Sequence, residues 1–231
     1  MASIAIVGKT GTGKSTSYGQ IPELNIEGLD PIETTVINVS RKDLPFRGWQ
    51  KKYGGRLSEG GNYFAGDNAN DIVKVINYIN NNRPEMKNIV IDDGQYIMAF
   101  EFMRNANETG YKKFAVLGVN MSKVIEAART TRPDLKVYFL WHPDQDKDTG
   151  YKMKTVGVMI DSYLTLEGLF TVVLYSRVTK NSGTSATYEF VTNNDGEFPA
   201  KSPVGMFKEL YIPNDLAVVS RAIDDYNSFE E

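Results

Sequence analysis

Gly8-Lys9-Thr10-Gly11-Thr12-Gly13-Lys14-Ser15 matches the spacing G-x-x-x-x-G-K-[ST] at every fixed position. Before it, Ser3-Ile4-Ala5-Ile6-Val7 is a short apolar run suited to a buried parallel strand, and after it Thr16 to Gln20 are expected to start a helix. Strand, glycine-rich loop and helix together aim main-chain N–H groups and a positive helix end at a polyphosphate. Gly8, Gly11 and Gly13 permit the tight turn. Lys9, Thr10, Thr12 and Thr16 complete the binding segment. Lys14 is expected to reach the β- and γ-phosphates, and the Ser15 hydroxyl to sit on a Mg²⁺ that bridges them.

The 231 residues are enough for one α/β domain with small additions. With 26 basic against 29 acidic side chains the net charge is −3, so any nucleic-acid binding must come from a local patch. The absence of cysteine excludes disulfides, thiolate catalysis and Cys-ligated zinc, and the single His142 excludes multi-histidine metal sites. No apolar run approaches the roughly 20 residues of a membrane helix, and a strand stands where a signal peptide would begin. The expectation is a cytoplasmic protein with no membrane partner.

A second strand is expected over Thr34–Val39, followed by an unusual stretch. Arg41 to Arg56 carries Arg41, Lys42, Arg47, Lys51, Lys52 and Arg56 against Asp43 alone, interleaved with Phe46, Trp49 and Tyr53. Pro45, Gly48, Gly54 and Gly55 argue for an exposed irregular loop. Cations for phosphates and aromatics for bases suit single-stranded nucleic acid; a solvated loop with its aromatics packed inward is the alternative. Ile72, Val75, Ile76 and Ile79 predict a helix, capped near Asn68. Lys87 to Asp93 is an apolar strand ending in two carboxylates: Asp92 is expected to hold the Mg²⁺ through a water, and Asp93 to orient or activate a nucleophilic water.

Tyr96 to Arg132 reads as helical and Leu135 to Trp141 as a strand that delivers His142, a candidate γ-phosphate sensor, to the same sheet edge. A helix over Gly157–Leu169 and a strand over Phe170–Val178 follow. Then come a hairpin over Arg177–Val191 turning at Asn181-Ser182-Gly183, a closing helix over Asp215–Tyr226 capped by Asn214, and a small acidic tail ending in Glu230 and Glu231.

The chain resembles phage-encoded P-loop ATPases with a RecA-like core, related to phage single-strand annealing recombinases. The residues that carry the resemblance are Gly8 to Ser15, Leu44-Pro45-Phe46-Arg47-Gly48-Trp49, Ile89 to Asp93, Glu101-Phe102-Met103, Glu167-Gly168-Leu169-Phe170, Lys201-Ser202-Pro203, Gly205-Met206-Phe207 and Ile212-Pro213-Asn214-Asp215-Leu216. The resemblance implies a mainly parallel sheet flanked by helices with a C-terminal β-hairpin, and ATP with Mg²⁺ as ligands. It also implies action on single-stranded DNA in the host cytoplasm, a single-strand-binding protein as a further partner, and self-association into a ring or filament. RecA-like proteins place a catalytic acid after the second strand, so Asp43 competes with Asp93 for that role. They also draw a cation from a neighbouring subunit, for which Arg177, Lys180 and Lys201 are candidates, Lys201 in the Lys-Ser-Pro loop being favoured. A small-molecule or nucleotide kinase and a nucleotide-gated interaction protein with little hydrolysis are the alternatives.

Overall fold

Along Ile4-Ala5-Ile6-Val7 successive side chains point to opposite faces, and each pair feeds a different core: Ile4 and Ile6 one, Ala5 and Val7 the other. A strand buried on both faces must lie inside a covered sheet. The computed structural model describes residues 2–107, 110, 112–146, 150–180, 183 and 185–228. Its strands are β1 (Ala2–Val7), β2 (Thr34–Asn38), β3 (Tyr63–Ala65), β4 (Asn88–Asp92), β5 (Lys136–Trp141), β6 (Pro143–Asp146), β7 (Gly150–Met153), β8 (Val172–Lys180), β9 (Ala186–Val191) and β10 (Tyr211–Pro213). The helices are α1 (Trp49–Tyr53), α2 (Ala69–Asn82), α3 (Tyr96–Arg104), α4 (Lys112–Arg129), α5 (Val158–Tyr163) and α6 (Leu216–Asn227).

Eight strands form one sheet in the order β10-β9-β8-β1-β5-β4-β2-β3, in which β8, β1, β5, β4, β2 and β3 run parallel. The expected α/β class holds. β9 runs antiparallel to both β8 and β10, so the expected late hairpin is present, although its first strand is the continuation of β8. Of its expected turn, Asn181 and Ser182 lie outside the described residues, as do Glu230 and Glu231 of the acidic tail. β6 and β7 pair as a separate hairpin directly after β5.

One face of the sheet is covered by α2, α4 and α5 through Ile72, Ile76, Met121, Val124 and Ile160. The other takes Tyr18, Phe46 and Tyr53 together with Leu216, Val219 and Ile223 of α6. Burying one such aliphatic side chain is worth roughly 1.5–3 kcal/mol, so both layers hold the sheet edge firmly in place.

Several expectations need correction. The helix expected from Thr16 is a run of turns, with one helical hydrogen bond from Ser17 N to Gly13 O at 2.9 Å, because the chain bends at Gly19 and Pro22 starts a 3₁₀ turn. A helix dipole therefore adds little to this loop. The 41–56 stretch is not wholly irregular, since Trp49–Tyr53 is helical. The helical reading of 96–132 divides into α3 and α4, and that of 157–169 into α5 and a 3₁₀ turn over Leu166–Leu169. Asn68 caps α2 as expected, its side chain accepting from the N–H groups of Asn70 and Asp71. The cap of α6 is Asp215, which accepts from Ala217 N, and not Asn214.

Candidate functional site

Gly8 leaves β1 at the carboxyl edge of the sheet, its N–H bonded to Trp141 O of β5 at 3.0 Å. A Cβ on Gly8 would stand 1.8 Å from Ser176 Oγ and 2.6 Å from Thr12 Oγ1, so only glycine fits here. Those two hydroxyls share a hydrogen bond of 2.6 Å, which fastens the loop to β8. Gly13 has φ +87° and faces the amide of Asn214, whose Nδ2 donates to Thr12 O at 2.9 Å. Among the described residues, the main-chain N–H groups of Lys9, Thr10, Gly11, Gly13, Lys14, Ser15 and Thr16 have no protein acceptor, so the loop keeps main-chain donors to offer a ligand. Gly8→Ala is expected to lower unfolding free energy by about 1–3 kcal/mol through overpacking. Ser176→Ala should return part of that loss; a Gly8→Ala protein as stable as its parent in urea titration would contradict this packing.

Lys14 is buried, its ammonium donating to Gly8 O at 2.6 Å and Lys9 O at 3.0 Å. Burial brings its pKa down to about 8 against the opposing pull of Asp93 and Asp92, and the charge of Lys42 lowers it further. Ser15 donates to Asp92 Oδ1 at 2.8 Å, and the buried Tyr18 hydroxyl to Asp92 Oδ2 at 2.9 Å. Burial, with Asp93 beside it, raises the Asp92 carboxyl above the usual range despite these two bonds.

Asp93 sits just past β4 with φ +61°, a left-handed conformation uncommon for a non-glycine residue. Its Oδ2 accepts from Lys42 Nζ at 2.5 Å, and its Oδ1 lies 3.4 Å from His142 Nε2. Burial pushes the Asp93 carboxyl up, but the bonds from His142 and Lys42 outweigh it and hold the group well below the ordinary carboxylate range. β5 lies between β1 and β4, so His142 at its end stands over the gap between the glycine-rich loop and the carboxylates. Asp43 is exposed, and the charges that act on Lys14 are those of Asp93, Asp92 and Lys42.

The basic stretch is largely built into the fold. Phe46 and Tyr53 are core residues packed edge to face against Tyr18, so they are not free to stack on bases. Trp49 is half-buried and tilts against Tyr63 at 5.6 Å. Arg41 pairs with Asp67 at 2.6 Å, Lys52 reaches Gln20 at 3.3 Å, and Lys42 turns to Asp93. Arg47, Lys51 and Arg56 remain exposed on the surface. Lys201 pairs through its main chain with Val173, three residues before Ser176 along β8, and so lies back from the edge that carries the loop. Arg177 is held by Glu189 and lies over the Tyr211 ring.

Two hollows flank the loop. One, of about 600 Å³, runs between Gly13, Thr16, Ile26, Tyr188 and Pro213–Asp215, and the buried Asn214 Oδ1 in its wall has no partner among the described residues. The other, of about 390 Å³, lies on the His142 side and is lined by Lys9, Thr10, Tyr96, Tyr151 and Lys154. A separate, mainly apolar groove of about 670 Å³ runs between α4 and α5, with Ser122, Lys123, Glu126 and Arg129 in its lining. Tyr18, Ser176 and Asn214 touch the loop or Asp92 in this candidate site, and no sequence pattern assigns them to a site; only Asn214 carries a signal, as part of the Ile212–Leu216 segment. No protein-family model and no curated protein matches this chain.

Proposed function

We propose that this chain is a Mg²⁺-dependent ATPase of RecA-like type that acts on single-stranded DNA. One observation carries the nucleotide reading: Lys14, the Ser15–Asp92 hydrogen bond and a loop whose amides lack protein acceptors lie together at the carboxyl edge of a parallel sheet. The Ser15 hydroxyl and, through a water, the Asp92 carboxylate would hold Mg²⁺. When bound, this cation neutralises charge on the β- and γ-phosphoryl oxygens. The loop amides hold the phosphates and Lys14 reaches the β–γ bridge. Asp93, kept ionised, accepts the proton of an attacking water whose oxygen bonds to the γ-phosphorus, while the β–γ bridging oxygen departs on ADP with the electron pair. His142 positions that water from the other side of Asp93. The nucleoside occupies the 600 Å³ hollow, where the exposed Tyr188 ring offers a face and Asn214 Oδ1 an acceptor.

The DNA part of the reading is supported by the resemblance to phage RecA-like ATPases and by Arg47, Lys51 and Arg56, exposed beside Trp49. Steady-state hydrolysis should rise when single-stranded DNA is added. Replacing Arg47 and Lys51 by alanine should flatten the dependence of log K on log salt by about 1.4, at about 0.7 for each phosphate that is no longer neutralised. Unchanged DNA affinity and slope in that variant would remove this surface from the proposal.

Transfer of the γ-phosphoryl group to a small acceptor is a second reading, favoured by the 390 Å³ hollow beside His142. Recovery of the γ-phosphoryl group only as inorganic phosphate, beside ADP, in the presence of nucleosides supports hydrolysis; a phosphorylated nucleoside supports transfer. Self-association, also implied by the resemblance, predicts specific activity that rises with protein concentration and falls in Lys201→Ala.

A further inference from the structure

The main chain leaving β2 is arranged to carry one cation to the two carboxylates. After Asn38 it passes Arg41, which has φ +57°, and Asn38 Nδ2 fixes the next carbonyl by donating to Lys42 O at 2.6 Å. Opposite stands Asp93 at φ +61°. Of the three non-glycine residues with positive φ among the described residues, one is a member of the Lys42–Asp93 ion pair and another directly precedes Lys42. Left-handed backbone at such residues is sparsely populated and concentrates where a side chain must be aimed.

The pair is asymmetric. The Asp93 side chain is 2% exposed, whereas that of Lys42 is 53% exposed, so the ammonium approaches from solvent on a flexible stem. Such a cation, half in solvent on a flexible stem, can lie against a second anion while keeping its contact with Asp93. The charge of Lys42 lowers the proton affinity of Lys14, and Asp92 and Asp93 act on both ammonium groups, so the two lysines lie within one electrostatic neighbourhood.

We propose that Lys42 is a second, cis-acting cation for a bound nucleoside triphosphate, shared between Asp93 and the γ-phosphoryl oxygens. The proposal rests on the nucleotide reading above and adds that the chain supplies its own γ-phosphate cation. A nucleoside diphosphate lacks the group Lys42 would touch, so the residue confers preference for triphosphate over diphosphate. In phosphoryl transfer the same contact stabilises charge on the equatorial oxygens.

The test compares Lys42→Gln, which keeps a donor for Asp93 without the charge, and Lys42→Arg with the parent protein. Dissociation constants for ADP and for a non-hydrolysable ATP analogue are measured with Mg²⁺, beside turnover of ATP. Lys42→Gln is expected to weaken the ATP analogue about tenfold while leaving ADP within about twofold, and to lower turnover by about 10³-fold, the lower end of what a transition-state cation supplies. Lys42→Arg is expected to retain part of both. An unchanged ratio of the two affinities, or an equal loss for both nucleotides with a lowered melting temperature, overturns the proposal and leaves Lys42 as a structural partner of Asp93. A parent protein that binds neither nucleotide overturns the nucleotide reading itself, so the two failures are distinguishable.

Discussion

Lys14→Ala is expected to weaken ATP binding about 100-fold while leaving the melting temperature without nucleotide unchanged or raised. The first effect follows from loss of a charge-assisted hydrogen bond worth about 3 kcal/mol, with tenfold in affinity for each 1.4 kcal/mol. The second follows from burial: the ammonium lies inside the loop, where desolvation has brought its pKa down to about 8, so its charged form opposes folding. Few single substitutions at a buried position would leave stability intact and remove binding. Calorimetric titration with ATP and thermal melts with and without nucleotide check both. ATP should raise the melting point of the parent protein and fail to do so in the variant. Full ATP affinity in folded Lys14→Ala would remove the phosphate-loop assignment.

Asp93→Asn is expected to lower turnover about 10³-fold, within the span attributed to general-base groups, while ATP affinity is kept or tightened. The amide has the same shape and can still accept from Lys42, so the fold has little reason to change. It cannot take a proton from water. It also removes one negative charge from the ground on which a triphosphate must sit, which is why tighter binding accompanies slower chemistry. Asp43→Asn is expected to behave like the parent protein, since Asp43 is exposed and is not among the charges that act on Lys14. The reverse pattern, with Asp43→Asn inactive and Asp93→Asn active, would transfer the role to the acid that RecA-like proteins use. Single-turnover assays at saturating ATP separate these outcomes from a binding defect.

How much of the fold and site is legible in the sequence depends on the range of the interaction. Ile4 to Val7 and Ile89 to Asp92 disclose buried parallel strands because an apolar run of that length has few other uses. Asn68 and the Ile72–Ile79 spacing disclose α2 because capping and helical periodicity are local. The Gly8–Ser15 spacing discloses the loop, and the tandem carboxylates at 92 and 93 their place beside it. The helix expected after the loop does not form because Tyr18 is drawn into the core to reach Asp92, and Gly19 with Pro22 stops the turn from propagating. The 41–56 stretch reads as a solvated loop because glycine and proline frame it. Its aromatics have long-range partners, Tyr18 and Tyr63, that no local pattern announces. The same holds for Lys42: a lysine in a basic run reads as a phosphate contact, and only the approach of β4 to β2 shows which anion it faces.

Thr12 and Asn214 are bonded to each other across 202 positions of chain, and Thr12 and Ser176 across 164. The hydroxyl that presses on Gly8 and the amide that braces Gly13 therefore emerge from a ribosome long after the loop they shape. Closing so large a span is entropically slow, and topology of this kind delays folding. During synthesis the loop would exist for most of the elongation time as a glycine-rich segment without its walls. Nucleotide capture should thus be a late event in biogenesis: nascent chains arrested before residue 215 has cleared the exit tunnel would carry the complete phosphate-binding motif and yet retain no ATP.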